Sequence, residues 1–204
     1  VLWARIFGLS LNNLFFDMKP TQDGGYLIPV NTGNAGEGNK GLIININSDG
    51  IVRWSSFIGT NNSLSLFHII QLKDESLIVV GEGGACVGDS YSSITHLDKQ
   101  GNVLWNRKFF LNVKHCTVAN NVLELHDGNI VVSGIDNYSI YPIANFPAVR
   151  FYLRKLNAGT GDEIWSRFYV SKDSTRRIDN FGDMHELADN SFHVHLSSSL
   201  FTNP

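Results

Sequence analysis

The chain repeats itself, and a repeat narrows the possible folds more than any single motif does. Four tryptophans stand in four copies of one phrase: LWARIFG at residues 2–8, RWSSFIG at 53–59, LWNRKFF at 104–110 and IWSRFYV at 164–170. Trp3, Trp54, Trp105 and Trp165 are separated by 51, 51 and 60 residues, and four residues before the last three stands a glycine, Gly50, Gly101 and Gly161. A second landmark moves in step with the first. Asp23, Asp74, Asp127 and Asp189, in QDGGYLIPV, KDESLIVVG, HDGNIVVSG and ADNSFHVHL, are spaced by 51, 53 and 62 residues. Two markers that drift together define a unit of about fifty residues.

Each unit reads as four short strands. An apolar stretch such as 67–72 (FHIIQL) or 121–125 (NVLEL) precedes the aspartate, and a β-branched run such as 77–80 or 130–132 follows it. Asp-Gly or Asp-Asn between two such runs is a tight hairpin signal, because these residues tolerate the positive φ of the turn. A third strand is expected at 42–46, 94–97 and 151–156, then a glycine turn and the tryptophan strand. No helical period interrupts the pattern. Four antiparallel strands repeated at this length predict an all-β fold, a β-propeller of four-stranded antiparallel blades that bury both faces against their neighbours. Tyr26, Leu77, Ile130 and Phe192 form one apolar column, and Ile28, Val79, Val132 and Val194 another.

The chain reads as one propeller domain or segment over 1–204, with units at approximately 9–59, 60–110 and 111–170 and a partial unit at 171–204 plus 1–8. One strand is missing even if the ends meet. A seven- or eight-bladed ring at this period needs roughly 350–400 residues. A segment of a larger propeller, or a ring completed by another chain, is therefore expected. Val1 in place of Met adds the expectation of a removed leader or a trimmed chain.

The phrase Leu/Ile-Asp/Asn-x-x-Gly-x-x-x-Trp, with one extra residue at 156–165, resembles the tryptophan-docking motif of quinoprotein-like (PQQ-like) β-propeller repeats. The wording DGGYLI and LDKQGNVLW is similar to repeats of secreted bacterial surface proteins. The resemblance runs from Trp3 to about Leu196 and implies a fold that serves scaffolds, binders and enzymes alike. It also implies what an enzyme of the family carries: an adjacent cysteine pair above the quinone and a cluster of Ca²⁺ ligands. Cys86 and Cys116 are the only cysteines and stand thirty residues apart. No cofactor and no dehydrogenase activity are expected.

Composition sets outer bounds. With 43% hydrophobic and 17% charged residues in 204, the chain can bury a sizeable core. A formal net charge of -3 without a Lys/Arg run gives no electrostatic reason for a nucleic-acid partner or an anionic membrane surface. Apolar runs such as 77–80 fall far short of the ~20 residues of a membrane span.

Several motifs have plainer readings. Residues 45–50 (NINSDG) open like a calcium loop, but Ser56 stands where a bidentate Glu is needed, and the other units place turns there. The glycines of 33–38 and 81–84 lie between strands rather than before a helix, so a phosphate cradle is not expected. Ser90 in GDSY lacks an identifiable base. Cys86 and Cys116 fall in neighbouring units and fit either one disulfide or two buried thiols.

Three sets of candidate site residues remain. His193 and His195 alternate onto one strand face, and a two-residue turn at Asp189-Asn190 would bring Glu186 across from His193. That N/N/O set suits a transition metal; the other reading is a polar face that no following blade presses. Asp17, His68, Asn121 and Asp183 occupy equivalent places on the innermost strands, a ring that points into a central channel or simply holds water. The third unit carries extra residues at 135–147, with Tyr138, Tyr141 and Phe146, which form either a binding loop or a cap over the blade. Two function classes follow. One is a non-enzymatic binding or scaffolding propeller, extracellular, on a cell surface or periplasmic, contacting a protein partner, other domains of a larger parent chain, or glycan. The other is an enzyme or cofactor- or metal-binding propeller with its site in the channel.

Overall fold

The computed structural model describes residues 4, 12–15, 17–33, 40–59, 64–84, 90–110, 116–138, 150–170 and 176–200. Among them the chain is all-β. The first sheet is built from β1 (Asn12–Phe15) and β2 (Lys19–Pro20), which both pair with β3 (Tyr26–Gly33), followed by β4 (Lys40–Ile46) and β5 (Val52–Ile58). The second is β6 (Leu64–Gln71), β7 (Leu77–Gly83), β8 (Tyr91–Leu97) and β9 (Val103–Phe110). The third is β10 (Cys116–Glu124), β11 (Ile130–Tyr138), β12 (Arg150–Leu156) and β13 (Glu163–Val170). A fourth sheet pairs β14 (Arg176–Glu186) with β15 (Phe192–Leu200). Every pairing is antiparallel and, apart from β1 with β3, between consecutive strands, so each of the three complete units read from the sequence forms one sheet, a blade. The first strands touch along the row, β2 to β6, β6 to β10 and β10 to β14, which makes them the innermost strands.

The repeated aspartates and glycines have separate jobs. Before the second strand of each blade, the flanking residues close a hairpin: Leu125 N–H donates to the Asn129 carbonyl at 2.8 Å, and Gly128 N–H to the Leu125 carbonyl at 3.0 Å. Asp74, Asp127 and Asp189 each accept the N–H two residues on at 3.0 Å, so the side chain holds the turn shut. The loop holds three residues with the last left-handed, at Gly24, Glu75, Gly128 and Asn190. That is the type I turn with a glycine-type bulge, not the two-residue turn expected at Asp189-Asn190. These turns and the glycine turns before β5, β9 and β13 lie at one end of the blades, here the turn end. At the opposite, loop end, second strands lead to third strands and one blade leads to the next.

The cores lie between blades. Leu27, Ile43, Leu66, Leu77, Val79 and Leu97 fill the space between blades 1 and 2, and Ile78, Val80, Ala119, Ile130, Val132, Tyr152 and Leu156 that between blades 2 and 3. Leu125, Val131, Phe151, Leu153 and Met184 begin the third, with Phe192 and Val194 of blade 4. Leu77, Val79, Ile130 and Val132 of the two predicted columns therefore lie in these cores, with Phe192 and Val194 partly buried, while Tyr26 and Ile28 belong to a further cluster on blade 1 with Val30, Leu42, Ile44 and Ile46. Ser92, Thr117 and Tyr152 join hydroxyls within the second core at 3.0 and 2.7 Å, and burial pushes the Tyr152 phenol up to about 12. Ser90 accepts the Thr117 N–H at 3.0 Å, so it stitches two blades together.

Tryptophan joins the rims. Trp54 donates its indole N–H to the Lys99 carbonyl of blade 2 at 3.1 Å, and Trp105 to Ala158 of blade 3 at 3.0 Å. The ring lies on the glycine that follows: a Cβ on Gly101 would stand 2.8 Å from Trp54, and one on Gly161 2.9 Å from Trp105. Both glycines have positive φ, as does Gly128, around which the space is open. The comparison separates backbone strain from docking. Gly128→Ala should cost about 1 kcal/mol from the left-handed conformation alone, whereas Gly101→Ala and Gly161→Ala should each cost roughly 2–4 kcal/mol because overpacking against the indole adds to it. Urea unfolding of the three variants measures the difference.

Candidate functional site

The axial residues owe their place to a backbone irregularity. Each innermost strand has an extra residue relative to the second strand, between Leu66 and His68, between Ala119 and Asn121, and between Phe181 and Met184, and β14 has a second between Ile178 and Asn180. The break between β1 and β2 is the same slip in blade 1. A β-bulge of this kind bends the strand and re-aims the side chain beside it. His68 thereby faces Val80 and Asn121 faces Ser133, while Asp17 and Asp183 sit in the corresponding breaks. The equivalence read from the sequence holds in register.

Three of the four residues interact. His68 Nε2 lies 3.5 Å from Asp17 Oδ2, and Asp183 is near enough to act on the imidazole by charge. Asp17 also lies 3.5 Å from the Lys19 ammonium. Asn121 turns back, its Oδ1 accepting the Val122 N–H at 2.7 Å. The His68 side chain is 13% exposed, and its Nδ1 is buried without a partner. Burial lowers the His68 pKa to about 4 against the opposing pull of Asp17. The imidazole is thus neutral at pH 7 and a weak base, poorly matched to general acid–base work near neutrality.

The expected metal set does not assemble. The three-residue turn shifts the register by one, so Glu186 pairs with Phe192, and His193 pairs with His185. A shift of one residue sends a side chain to the other face of the sheet. Glu186 accordingly points toward blade 3 with its side chain 8% exposed, while His193 and His195 are exposed on the opposite face. Among the described residues no group of three or more His, Cys, Asp or Glu is arranged to hold a metal.

Glu186 has a different role, one that the sequence reading missed. Its Oε2 accepts the His126 backbone N–H at 2.7 Å and lies 3.2 Å from His126 Nδ1. Glu124 Oε2 accepts the Lys73 N–H at 2.9 Å, and Gln71 Oε1 accepts the Gln22 N–H at 2.8 Å. The last residue of each innermost strand thus latches onto the hairpin turn of the blade before it. The signal was present as Gln71-Leu72, Glu124-Leu125 and Glu186-Leu187 just ahead of each turn.

The aromatic segment of the third blade is only partly described. Residues 135–138 continue β11, with Tyr138 opposite Cys116, so the insertion starts after Tyr138 rather than at Ile135. Tyr141, Phe146 and Cys86 lie outside the described residues, as does Trp3. Residues 47–50 form a turn in which Asn47 Oδ1 accepts the Asp49 and Ile51 N–H groups at 3.0 and 2.8 Å, the plainer of the two readings of that motif.

Two outcomes follow. A group whose folded pKa is depressed and whose neutral form is favoured stabilises the fold fully above its unfolded value of 6.5, and that contribution is lost as pH falls toward 4. His68 should therefore cost roughly 3 kcal/mol of stability across this window, and His68→Asn, the residue of the next blade, should flatten the stability–pH curve there. For the latch, Glu124→Ala should cost about 1 kcal/mol through loss of the hydrogen bond to the exposed Lys73 N–H, while Glu124→Gln should be close to neutral because Gln71 already makes the equivalent bond. Chemical denaturation checks both.

A scan against protein-family models and a search of curated proteins give no match.

Proposed function

We propose that the chain is a non-enzymatic binding or scaffolding β-propeller segment of the quinoprotein-like repeat type, which contacts protein or glycan through its loop end outside the cytoplasm. One observation carries this reading. The outermost strands end, at the loop end, in large apolar side chains left in solvent: Phe57 at 60%, Phe110 at 60% and Tyr169 at 48% exposure. β11 ends and β12 begins at this same end. Aromatic area repeated at one end of a rigid scaffold suits a partner's surface, since such side chains supply contact at low entropic cost. Apolar side chains are also exposed at the turn end of these strands, Ile51, Val103, Leu104 and Ile164 among them, but they are aliphatic, so the repeated exposed aromatic area lies at the loop end.

A second reading, a small ligand held at the axis, is supported by the buried free Nδ1 of His68 beside Asp17. The low basicity of that imidazole weighs against catalysis there. Supplied with PQQ and Ca²⁺, the chain should give no dehydrogenase turnover; calcium-dependent turnover would overturn the non-enzymatic reading.

The binding reading is tested by panning the immobilised chain against a random-peptide display library and a glycan array. Ligands selected by the parent chain should lose at least about tenfold in affinity, or ~1.4 kcal/mol, for the triple variant Phe57→Ser, Phe110→Ser, Tyr169→Ser, with an unchanged melting temperature. Replacing Tyr138, Tyr141 and Phe146 by serine should cost over ~2 kcal/mol of binding if they act as hot spots. Loss of thermal stability with unchanged binding favours the cap. Selected ligands that ignore the loop end and respond to His68→Asn would favour the axis.

A further inference from the structure

The hairpin aspartate carries a charge that each complete blade answers differently. In blade 1 Arg53 closes on Asp23 at 2.5 Å, and in blade 3 Lys155 closes on Asp127 at 2.5 Å. In blade 2, among the described residues, no Lys or Arg bridges Asp74, and the ionisable side chain that acts on it by charge is His96. Lysine and arginine stay charged through the neutral range, whereas histidine changes charge near its lower edge. His96 holds the place of Asn45 and Lys155: the three stand opposite Trp54, Trp105 and Trp165 in their blades.

The surroundings of His96 fix its state. The residue is 5% exposed, and its ring meets the Trp105 indole edge-on with centroids 5.4 Å apart. In register it lies between Ile78 and Trp105, on the face that packs against blade 3. Ser76 Oγ donates to Asp74 Oδ1 at 2.5 Å. A hydroxyl has one proton to give, so the 2.8 Å bond between Ser76 Oγ and His96 Nε2 is donated by the ring. His96 is therefore the neutral Nε2–H tautomer, with its lone pair on Nδ1, a buried atom without a hydrogen-bond partner. A second proton has to go on Nδ1, where no acceptor meets it, and burying an unpaired charge is costly.

Other charges on the elements packed around the ring are engaged elsewhere. Glu75 pairs with Lys99, Lys73 reaches the Leu125 carbonyl, and Glu124 takes the Lys73 N–H. Arg107 bonds the Thr160 carbonyl and Asp162, and Arg154 is held by Glu163 over the Phe109 ring. Burial accordingly holds the His96 pKa below its ordinary 6.5, against the pull of Asp74. The neutral ring is the form that the closed joint favours, so its contribution is complete above 6.5 and is lost as pH falls below it.

We propose that His96 is a proton-sensitive catch on the joint between blades 2 and 3: once charged, it leaves its place beside Trp105, and the dock of Trp105 on Ala158 and Gly161 opens. The dock of Trp54, with Asn45 in the corresponding place, stays shut. Acid thus loosens one joint of the row and leaves its neighbour closed, whatever the loop end binds.

Indole N–H exchange in the full ¹⁵N-labelled chain tests this, with Trp54 as the internal reference that cancels the intrinsic pH dependence of exchange. Between about pH 7 and pH 5, the protection of Trp105 relative to Trp54 should fall roughly fivefold or more through proton linkage. In His96→Asn the ratio should stay level, and in His68→Asn it should fall as in the parent chain. The imidazole ¹⁵N resonances of the unsubstituted chain give an independent reading. His96 should show the Nε2–H tautomer near neutrality and titrate below 6.5, in step with the exchange ratio. A ratio that ignores pH, a ratio that falls equally in His96→Asn, an Nδ1–H tautomer, or a His96 that titrates above 6.5 overturns the proposal. So does a fall that His68→Asn abolishes, since the trigger then lies at the axis.

Discussion

The structure depends on the contact between blades, not on any one sheet. A single four-stranded sheet whose two faces are both apolar has no stable existence in water, because each face must be covered. Here the covering is mutual and one-directional: the tryptophan of one blade reaches forward to the glycine turn of the next, and the Gln or Glu of the next reaches back to the hairpin turn of the one before. The rim and the inner edge are thus tied by separate bonds running in opposite senses. Between them lie branched aliphatic side chains and hydrogen-bonded polar groups, among them Asn31, which accepts the Leu66 N–H at 2.6 Å and donates to the Leu66 carbonyl at 3.0 Å across blades 1 and 2, and the Ser92–Thr117–Tyr152 hydroxyls between blades 2 and 3.

The forward and backward ties also explain why the turns are so regular while the other end differs between blades. Turn residues answer to two constraints, closing their own hairpin and meeting the neighbour, and Asp74, Asp127 and Asp189 satisfy the first with the same 3.0 Å bond. Loop-end connections answer to neither. That is why blade 3 accepts residues after Tyr138 without loss of register in β11 or β12.

The fold was legible because its signals are periodic. Two landmarks in step locate blades, and the columns at Leu77 and Val79 follow from strand alternation alone. The metal candidate failed on a count of one: whether Asp189-Asn190 or Ala188-Asp189-Asn190 forms the loop decides which face Glu186 takes, and an Asp-Asn pair fits both. The axial ring was readable as equivalent positions but not as bulges, since an extra residue in a strand leaves no mark in hydrophobic alternation when the residue beside it is polar. The latch was written in the chain as a repeated Glu/Gln-Leu, yet a polar residue at a strand end is usually solvated, and only the packed neighbour gives it a partner. Tyr141 and Phe146 stay a matter of composition.

The bulge in each innermost strand has a consequence for how such a chain can change. Because the extra residue swings the neighbouring side chain out of the inter-blade cores, the axial position is decoupled from packing: Asp17, His68, Asn121 and Asp183 differ in charge and shape while the glycines opposite, Gly81 and Gly134, keep the backbones close. Asp17, His68 and Asp183 remain coupled by charge, so a change at one of them is felt by the others while the inter-blade cores are left in place. The axis is in that sense an editable surface held inside an otherwise constrained repeat, where new chemistry can arise by single substitutions without a new fold.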